Sequence, residues 1–205
     1  MKPGNKIRRF LKERHILNLK RVYHSIRLKM AWSAKKRTAY LKKHHLLNSI
    51  GENCSWGPGK LPVRCELIRL GNNVVIHQTA SIVPHDMING FLKRARPEMD
   101  FGYKERLGCI EIMDNVYVGN RAIILPDVRI GKNCIISTGS VVTRDIPENS
   151  VVAGNPGKVV GRFDIYCAMR RARKDEDGGL RNDRKQRERF IKETWERFEQ
   201  KREEK

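Results

Sequence analysis

The stretch IMDNVYVGNRAIILPDVRIGKNCIISTGSVV, residues 112–142, decides the fold of this chain. Large apolar residues stand six apart along it: Ile112, Val118, Ile124, Ile130, Ile136 and Val142. A helix repeats every 3.6 residues and a flat strand every two, so a period of six fits neither. It is typical of a coiled strand, in which short flat segments, each with one inward apolar side chain, are joined by corners.

A second set of residues, four positions further on, keeps the same period with mostly small or β-branched side chains: Val116, Ala122, Val128, Cys134, Ser140 and Ile146. We expect these side chains to fill the corners, and Asn115 and Asn133 to supply turn chemistry beside them. An earlier block, Leu70, Ile76 and Ile82 with Val74 and Ala80, has the same spacing and breaks at Pro84. Together the two blocks predict an all-β core that forms a parallel β-helix.

Charge is distributed unevenly along the 205 residues, whose formal net charge is +20. Residues 1–50 contain 15 Lys and Arg against one acidic residue, Glu13, whereas residues 51–161 are nearly neutral. We therefore predict three parts. They are a basic amphipathic helical head (1–50), a β-helix domain (51–161) and a charged tail with a helix over 183–203 (162–205).

Within these parts the sequence predicts head helices over 5–32 and 34–47, and a turn-rich segment over 51–62. Coils are expected over about 63–85 and 110–160, separated by an irregular insertion at 86–109. An insertion of that length in a regular solenoid is uncommon unless it is functional or disordered.

Localisation is predicted from what the sequence lacks. Its apolar runs are too short to span a bilayer, and the basic start leads into Lys12 and Glu13 rather than into the apolar region of a secretory signal. Five scattered cysteines without a CxxC motif favour reduced thiols in a cytosol, with Cys134 as core filler. The basic head is expected either to pack on the domain or to dock on the inner face of an anionic plasma membrane. Nucleic acid is not an expected partner, because no reading motif accompanies the charge.

Residues 110–160 resemble the left-handed β-helix acyltransferases of the hexapeptide-repeat superfamily, in the galactoside, maltose and xenobiotic acetyltransferase branch. The segments that carry the resemblance are GSVVTRDIP (139–147) and AGNP (153–156), together with the hexads before them. The resemblance implies a left-handed coil, acetyl-CoA as acyl donor and a homotrimer with active sites between subunits. With the insertion and the basic head it also implies O-acetylation of a sugar hydroxyl in bacterial capsule, exopolysaccharide or O-antigen assembly.

The resemblance also places the catalytic base, a histidine at the end of the first coils before an extended loop, at His85. Imidazole suits that role, since a sugar hydroxyl must lose its proton as it attacks a thioester. The neighbouring Asp86 is not expected to form a relay, because adjacent strand residues point apart. A zinc site of three histidines is not expected, since only His77 and His85 lie in the predicted coils.

By the same carry-over, Asn120 and Thr138 would meet the pantetheine arm of coenzyme A, and Thr143, Arg144 and Lys158 would lie toward its nucleotide end. Phe91, Phe101 and Tyr103 in the insertion either stack on an acceptor sugar or pin the insertion to the coils. Two other readings stay open. One is acetylation of an amino sugar or of a small acceptor such as serine. The other is a β-helix that serves only for assembly and does no catalysis.

Overall fold

The computed structural model describes residues 19–99, 106–172 and 183–203. Helices within these ranges are α1 (residues 19–30), α2 (Ala34–Lys43), α3 (Ile88–Ala95), α4 (Phe163–Ala172) and α5 (Arg184–Glu203). The strands are β1 (Ser49–Ile50), β2 (Ser55–Trp56), β3 (Ile68–Leu70), β4 (Val75–Ile76), β5 (Ser81–Ile82), β6 (His85–Asp86), β7 (Arg106–Leu107), β8 (Ile110–Ile112), β9 (Val116–Val118), β10 (Ile123–Ile124), β11 (Val128–Ile130), β12 (Cys134–Ile136), β13 (Val141–Val142), β14 (Ser150–Ala153) and β15 (Lys158–Arg162). The chain divides into two compact units, Met1–Ala168 and Met169–Lys205.

Apart from β6 and β7, which pair with each other, the strands of the first unit form three sheets. We call them sheet A (β1-β3-β8-β11), sheet B (β2-β4-β9-β12-β14, with β15 at its end) and sheet C (β5-β10-β13). Apart from the pairing of β14 with β15, every pairing within these sheets is parallel. Ile112 pairs with Ile130, Val118 with Ile136 and Ile124 with Val142, so each strand meets the strand 18 residues later. One turn of the coil therefore takes three steps of six residues, as the sequence period predicts.

Both periodic sets of apolar residues point into the coil. The six large residues from Ile112 to Val142 are buried, and so are the residues four positions after each of them. The predicted role of Cys134 as core filler is confirmed. The core is not made by strands alone, however, because Leu28 of α1 and Leu41 of α2 are fully buried in the same cluster. The expectation of an all-β core is corrected on this point.

Asparagines form a ladder at the corner between sheets A and B. Asn73, Asn115 and Asn133 have φ of 54°, 58° and 56°, the left-handed region that asparagine tolerates better than most residues. The Asn73 amide donates to Asn115 Oδ1, and the Asn115 amide donates to Asn133 Oδ1, each at 2.9 Å. The predicted turn chemistry is confirmed, and the side chains also link successive turns of the coil.

The coil begins earlier than the sequence analysis expected. β1 lies at the end of the predicted head and β2 lies within the segment predicted to be turn-rich, and they pair with β3 and β4. Ile50 and Trp56 stand six apart and pair with Leu70 and Ile76. The six-residue period is hidden because residues 57–67, which end in a short 3-10 helix (Cys65–Leu67), form an excursion between the first and second turns.

The insertion at 86–109 is not wholly irregular, which corrects a second expectation. It contains the helix α3 and the strand β7, which pairs antiparallel with β6. Ile88, Phe91, Leu92 and Ala95 follow a helical 3/4 spacing that a search for the six-residue period does not detect. Residues 100–105 of this insertion lie outside the described residues.

The described part of the basic head packs on the coil through one face. Arg37 donates from Nε to the Leu28 carbonyl at 3.1 Å and from Nη1 to the Gly57 carbonyl at 2.8 Å, which ties α1, α2 and the first turn together. The opposite side of α1 and the residues after it leave apolar side chains exposed: Leu19, Val22, Tyr23, Ile26, Met30 and Trp32. Packing on the domain is therefore observed, and within the described residues α1 also has an exposed apolar face. α1 confirms the later part of the helix predicted over 5–32, and residues 5–18 of that prediction lie outside the described residues.

The chain after the coil contains one expected helix and one unexpected helix. α5 matches the predicted helix over 183–203, and its Arg184–Glu188 and Arg189–Glu193 ion pairs follow the i, i+4 spacing. α4 was missed, since that segment was treated only as charged sequence. None of the described helices combines the length and the apolarity that crossing a bilayer requires.

Candidate active site

His85 lies where the insertion leaves the coil. It opens β6 directly after Val83 and Pro84, and the Gly108 N–H donates to the Pro84 carbonyl at 2.9 Å where the chain returns. The imidazole is half-buried, and its Nδ1 is buried without a hydrogen-bond partner. The β6–β7 pairing fixes the backbone on both sides of the insertion. The residue predicted as the base therefore has a fixed backbone and an uncommitted ring nitrogen.

A cavity of about 380 Å³ adjoins His85. Its wall includes Arg21 of α1, Trp56 of β2, Lys60 and the residues of β5. Sequence reasoning did not find Arg21, Trp56 or Lys60. The excursion after Trp56 hides its six-residue spacing from Ile50, and nothing in the sequence shows that α1 folds back onto this turn.

Asp86 follows His85 and has a local structural partner. Its Oδ1 accepts a hydrogen bond from the Ile88 N–H at 3.3 Å, at the first turn of α3. A carboxylate near the start of a helix stabilises the unpaired amides there. This contact gives the Asp86 carboxylate a structural role at the start of α3.

His77 belongs to a different group of polar side chains, at the corner between sheets B and C. Its Nδ1 lies 3.0 Å from Thr79 Oγ1, and the Thr79 hydroxyl is hydrogen bonded to Asn120 Oδ1. Across residues 19–99, 106–172 and 183–203, no three His, Cys, Asp or Glu side chains are grouped in a way that could hold a metal ion.

The five residues expected to contact coenzyme A do not all lie together. Asn120 and Thr138 share the corner between sheets B and C, where the Gly139 N–H donates to the Asn120 carbonyl at 2.8 Å. Thr143 and Arg144 follow β13, at the carboxyl ends of the strands of sheet C. Pro84 and His85 follow β5 at the same end of this sheet. Lys158 starts β15 and pairs with Ala153 at the end of the coil. Apart from half-buried Asn120, all of these side chains are exposed.

The acceptor residues are described only in part. Phe91 lies on α3 with 59% of its surface exposed, so it does not pin the insertion to the coils. Phe101 and Tyr103 lie outside the described residues. The Phe91 ring is therefore accessible to a ligand.

The buried Cys54 and Cys134 and the half-buried Cys65 are poor candidates for a nucleophile. Burial raises the pKa of the Cys65 thiol to about 11, and it also raises the pKa of Cys54 and Cys134. The thiolate is the reactive form, so these thiols are nearly inert at neutral pH. Of the titratable side chains near the cavity, His85 is therefore the better suited to proton transfer.

Comparison with known proteins agrees with this geometry. Residues 110–144 match the family described as bacterial transferase hexapeptide (six repeats). The chain is 33% identical over 112 residues to a protein of Staphylococcus aureus (strain COL) that is named as a candidate acetyltransferase, over 47% of this chain and 56% of that protein. It thus spans about half the length of the curated relatives that it matches.

Two solved structures resemble the chain over most of their length. One is a hexapeptide-repeat acetyltransferase from Vibrio cholerae complexed with acetyl coenzyme A, with a TM-score of 0.56 and 18% identity over 74% of this chain and 89% of that one. The other is a maltose O-acetyltransferase from Clostridium difficile 630, with a TM-score of 0.51 and 27% identity over 72% of this chain and 88% of that one. The chain therefore carries the bacterial transferase hexapeptide repeat and has the fold of the hexapeptide-repeat acetyltransferases, which implies a left-handed β-helix.

Proposed function

We propose that this protein is an acetyl-CoA-dependent O-acetyltransferase that modifies a sugar hydroxyl, with His85 as the general base. The observation that carries the proposal is the uncommitted Nδ1 of His85 beside a cavity of about 380 Å³, on a coil that resembles a maltose O-acetyltransferase. A cavity of that volume is in the range that holds a small-molecule acceptor.

In this proposal His85 accepts the proton of the sugar hydroxyl as its oxygen attacks the thioester carbonyl. A positioned imidazole is matched to neutral pH for this transfer. The negative charge that develops on the carbonyl oxygen needs nearby donors, and backbone N–H groups of the coil are the ones we assign. The proton passes to the departing thiolate, so the step yields the acetyl ester and the free thiol.

Acetyl-CoA would supply the activated acetyl group. Asn120 and Thr138 suit the amide-rich pantetheine arm because they stand on neighbouring turns at one exposed corner. Arg144, Thr143 and Lys158 suit the phosphates, because two exposed cations and a hydroxyl form charge-assisted or neutral hydrogen bonds with phosphate oxygens. In one chain, Asn120 and Thr138 lie before the strands of sheet C, Thr143 and Arg144 lie after β13, and Lys158 starts β15 in sheet B. In the homotrimer that we propose, one subunit would contribute Asn120 and Thr138, and its neighbour would contribute Thr143, Arg144 and Lys158.

The acceptor belongs, in this proposal, to bacterial surface polysaccharide assembly, and Phe91 is placed to stack on its sugar ring. Phe101 and Tyr103 of the same insertion are assigned the same role by their sequence position. An exposed aromatic face suits a sugar because the ring carbons present apolar C–H groups. The substitution Phe91→Ala is expected to raise KM for the acceptor and to leave KM for acetyl-CoA unchanged.

We also propose that the protein works at the cytoplasmic face of an anionic membrane. The exposed apolar residues of α1 lie beside Lys20, Arg27 and Lys29, and Trp32 is 92% exposed, a combination that favours the surface of an anionic bilayer. The full chain should sediment with phosphatidylglycerol vesicles and not with phosphatidylcholine vesicles. Exchanging Ile26 and Met30 for serine should abolish this binding, and equal sedimentation of both proteins would disprove the proposal.

The experiment that tests the function measures thiol release from acetyl-CoA with free, nucleotide-linked and polyprenyl-linked sugars, an amino sugar and serine. Release with a sugar that lacks an amine, and loss of that release in His85→Ala, would support the O-acetyltransferase. Transfer only to the amino sugar or to serine would redirect the assignment to those acceptors. Absence of both release and acetyl-CoA binding would favour a β-helix that serves only for assembly.

A further inference from the structure

Three residues that line one cavity each have a buried polar atom without a hydrogen-bond partner. These atoms are Arg21 Nε, Trp56 Nε1 and His85 Nδ1, and within the described part of the chain no other buried side-chain nitrogen or oxygen lacks a partner. All three residues line the cavity of about 380 Å³. Because α1, the first turn and the start of the insertion each contribute one of them, the cluster depends on the tertiary fold.

The chemistry of these groups restricts what fits between them. Trp56 is only 1% exposed, and an indole N–H can only donate. The Nε of an arginine also only donates, whereas the imidazole nitrogen donates or accepts according to its tautomer. A buried donor without an acceptor is costly, so the complementary ligand carries oxygen acceptors.

The charge of the cavity wall points to an anion. Arg21 and Lys60 supply two cations, and no Asp or Glu is among the described residues that line the cavity. Cys65, whose thiol is affected by the charge of Arg21, offers no counter-charge at neutral pH because burial raises its pKa to about 11. Two cations without a local carboxylate favour a phosphate or carboxylate group.

We infer that this cavity holds an oxyanion carried by the acceptor, so that the acceptor is a phosphorylated or acidic sugar rather than a neutral one. This inference rests on the proposed function and adds Arg21 as a residue that selects the acceptor. The Trp56 N–H and Arg21 Nε would donate to the oxyanion, and the sugar would extend toward His85. The phosphates of coenzyme A are not the assigned occupant, because Arg144 is not among the residues that line this cavity.

A binding measurement tests the cavity without relying on activity. Glucose 1-phosphate, glucuronate, inorganic phosphate and glucose are titrated calorimetrically into the full-length chain. The variants are Arg21→Gln, Arg21→Lys and the matched control Lys20→Gln, which removes an exposed cation from the next position of α1. We expect Arg21→Gln to weaken binding of a charged sugar by about tenfold, the loss of one charge-assisted hydrogen bond. Arg21→Lys should recover part of that loss, and Lys20→Gln should change little.

The outcomes separate the possible sources of the anion. Charged sugars that bind more tightly than inorganic phosphate, with a dependence on Arg21, support the inference. Inorganic phosphate that binds as tightly as the sugar phosphate overturns the assignment to an acceptor. Glucose that binds as tightly as glucose 1-phosphate, or equal binding by the Arg21→Gln and Lys20→Gln proteins, overturns the anionic cavity itself.

Kinetics then distinguish failure of this inference from failure of the proposed function. With an acetylated charged sugar, Arg21→Gln should raise KM for that sugar by about tenfold and leave KM for acetyl-CoA unchanged. Acetyl transfer that is equally efficient with neutral and charged sugars would keep the proposed function and remove the inference. Charged-sugar binding that depends on Arg21, without acetyl transfer to any sugar, would keep the cavity and remove the proposed function.

Discussion

The main-chain N–H of Trp56 donates a hydrogen bond to the Oγ1 of Thr38 at 2.8 Å. The Thr38 hydroxyl in turn donates to the Ala34 carbonyl one helical turn earlier, at 2.9 Å. The first turn of the coil is therefore fixed to α2 through one buried side chain. Since Trp56 also lines the candidate acceptor cavity, the basic head contributes to the shape of the site.

Removing the Thr38 hydroxyl should destabilise the protein. Thr38→Val keeps the shape of the side chain but leaves the buried main-chain N–H of Trp56 without its acceptor. This change costs about 1–3 kcal/mol of unfolding free energy. Urea unfolding measures this loss. Thr194→Val is the matched control, because Thr194 makes the same kind of bond to its own helix at an exposed position. Equal unfolding free energies for the two variants would contradict the contact.

The asparagine ladder predicts a difference between two substitutions at one position. Asn115 has a φ of 58°, which an alanine adopts at a cost of about 1–2 kcal/mol and a glycine adopts without that cost. Both variants lose the side-chain bonds to Asn73 and Asn133. Asn115→Ala should therefore unfold at a lower urea concentration than Asn115→Gly, and the reverse order would rule out this account of the corner.

Asp86 should be dispensable for the chemistry. Asp86→Asn keeps an oxygen that accepts from the Ile88 N–H, so α3 should stay in place. The expected kcat/KM lies within about threefold of the wild type, far from the loss of about 100-fold or more expected for removal of a general base. A loss of that larger size in Asp86→Asn would show that the carboxylate acts with His85.

Arg144 should affect the acyl donor and not the acceptor. Arg144→Gln removes an exposed cation assigned to the phosphates, so KM for acetyl-CoA should rise by about three- to tenfold, and the rise should shrink in high salt. Lys35→Gln is the control, as an exposed cation on α2 outside the proposed site. An equal change of KM in both variants would indicate a general charge effect.

Thiol labelling should follow burial and pKa. Cys109 and Cys167 are exposed, whereas burial raises the pKa of Cys65 to about 11, so less than about 1% of its thiol is ionised at pH 8. Iodoacetamide at pH 8 should therefore modify Cys109 and Cys167 well before Cys65, as read by peptide mass spectrometry. Raising the pH toward 11 should accelerate the labelling of Cys65, and rapid labelling at pH 8 would contradict its burial.

The sequence predicts the coil well where one rule governs many residues. From Ile112 to Val142 every sixth residue must enter the same narrow interior, so the period itself carries the fold. The rule fails between Trp56 and Leu70, because the excursion between these two turns interrupts the six-residue spacing in the sequence. The strands still pair, with Ile50 opposite Leu70. The six-residue rule also does not detect α3, because the residues of this helix follow a 3/4 spacing within a segment that was interpreted as irregular.

In the candidate site too, residues that follow a sequence pattern were predicted, and residues placed by tertiary packing were not. His85 was identified because its position after the first coils matches a family pattern. Arg21 was not, because its place at the cavity depends on how α1 packs, and the sequence of an amphipathic helix does not say which turn of the coil it covers. Trp56 was missed because the excursion after it hides its six-residue period and because its contact with α2 depends on the tertiary fold.

The central claim is that His85 takes the proton of the acceptor hydroxyl during acetyl transfer. Its most direct test compares kcat/KM of the wild type, His85→Ala and His85→Gln with one acetylated acceptor, after circular dichroism has shown equal folding. The account predicts a loss of about 100- to 10,000-fold in both variants, with acetyl-CoA still bound. A kcat/KM within threefold of the wild type in both variants would contradict the assignment of His85 as the base.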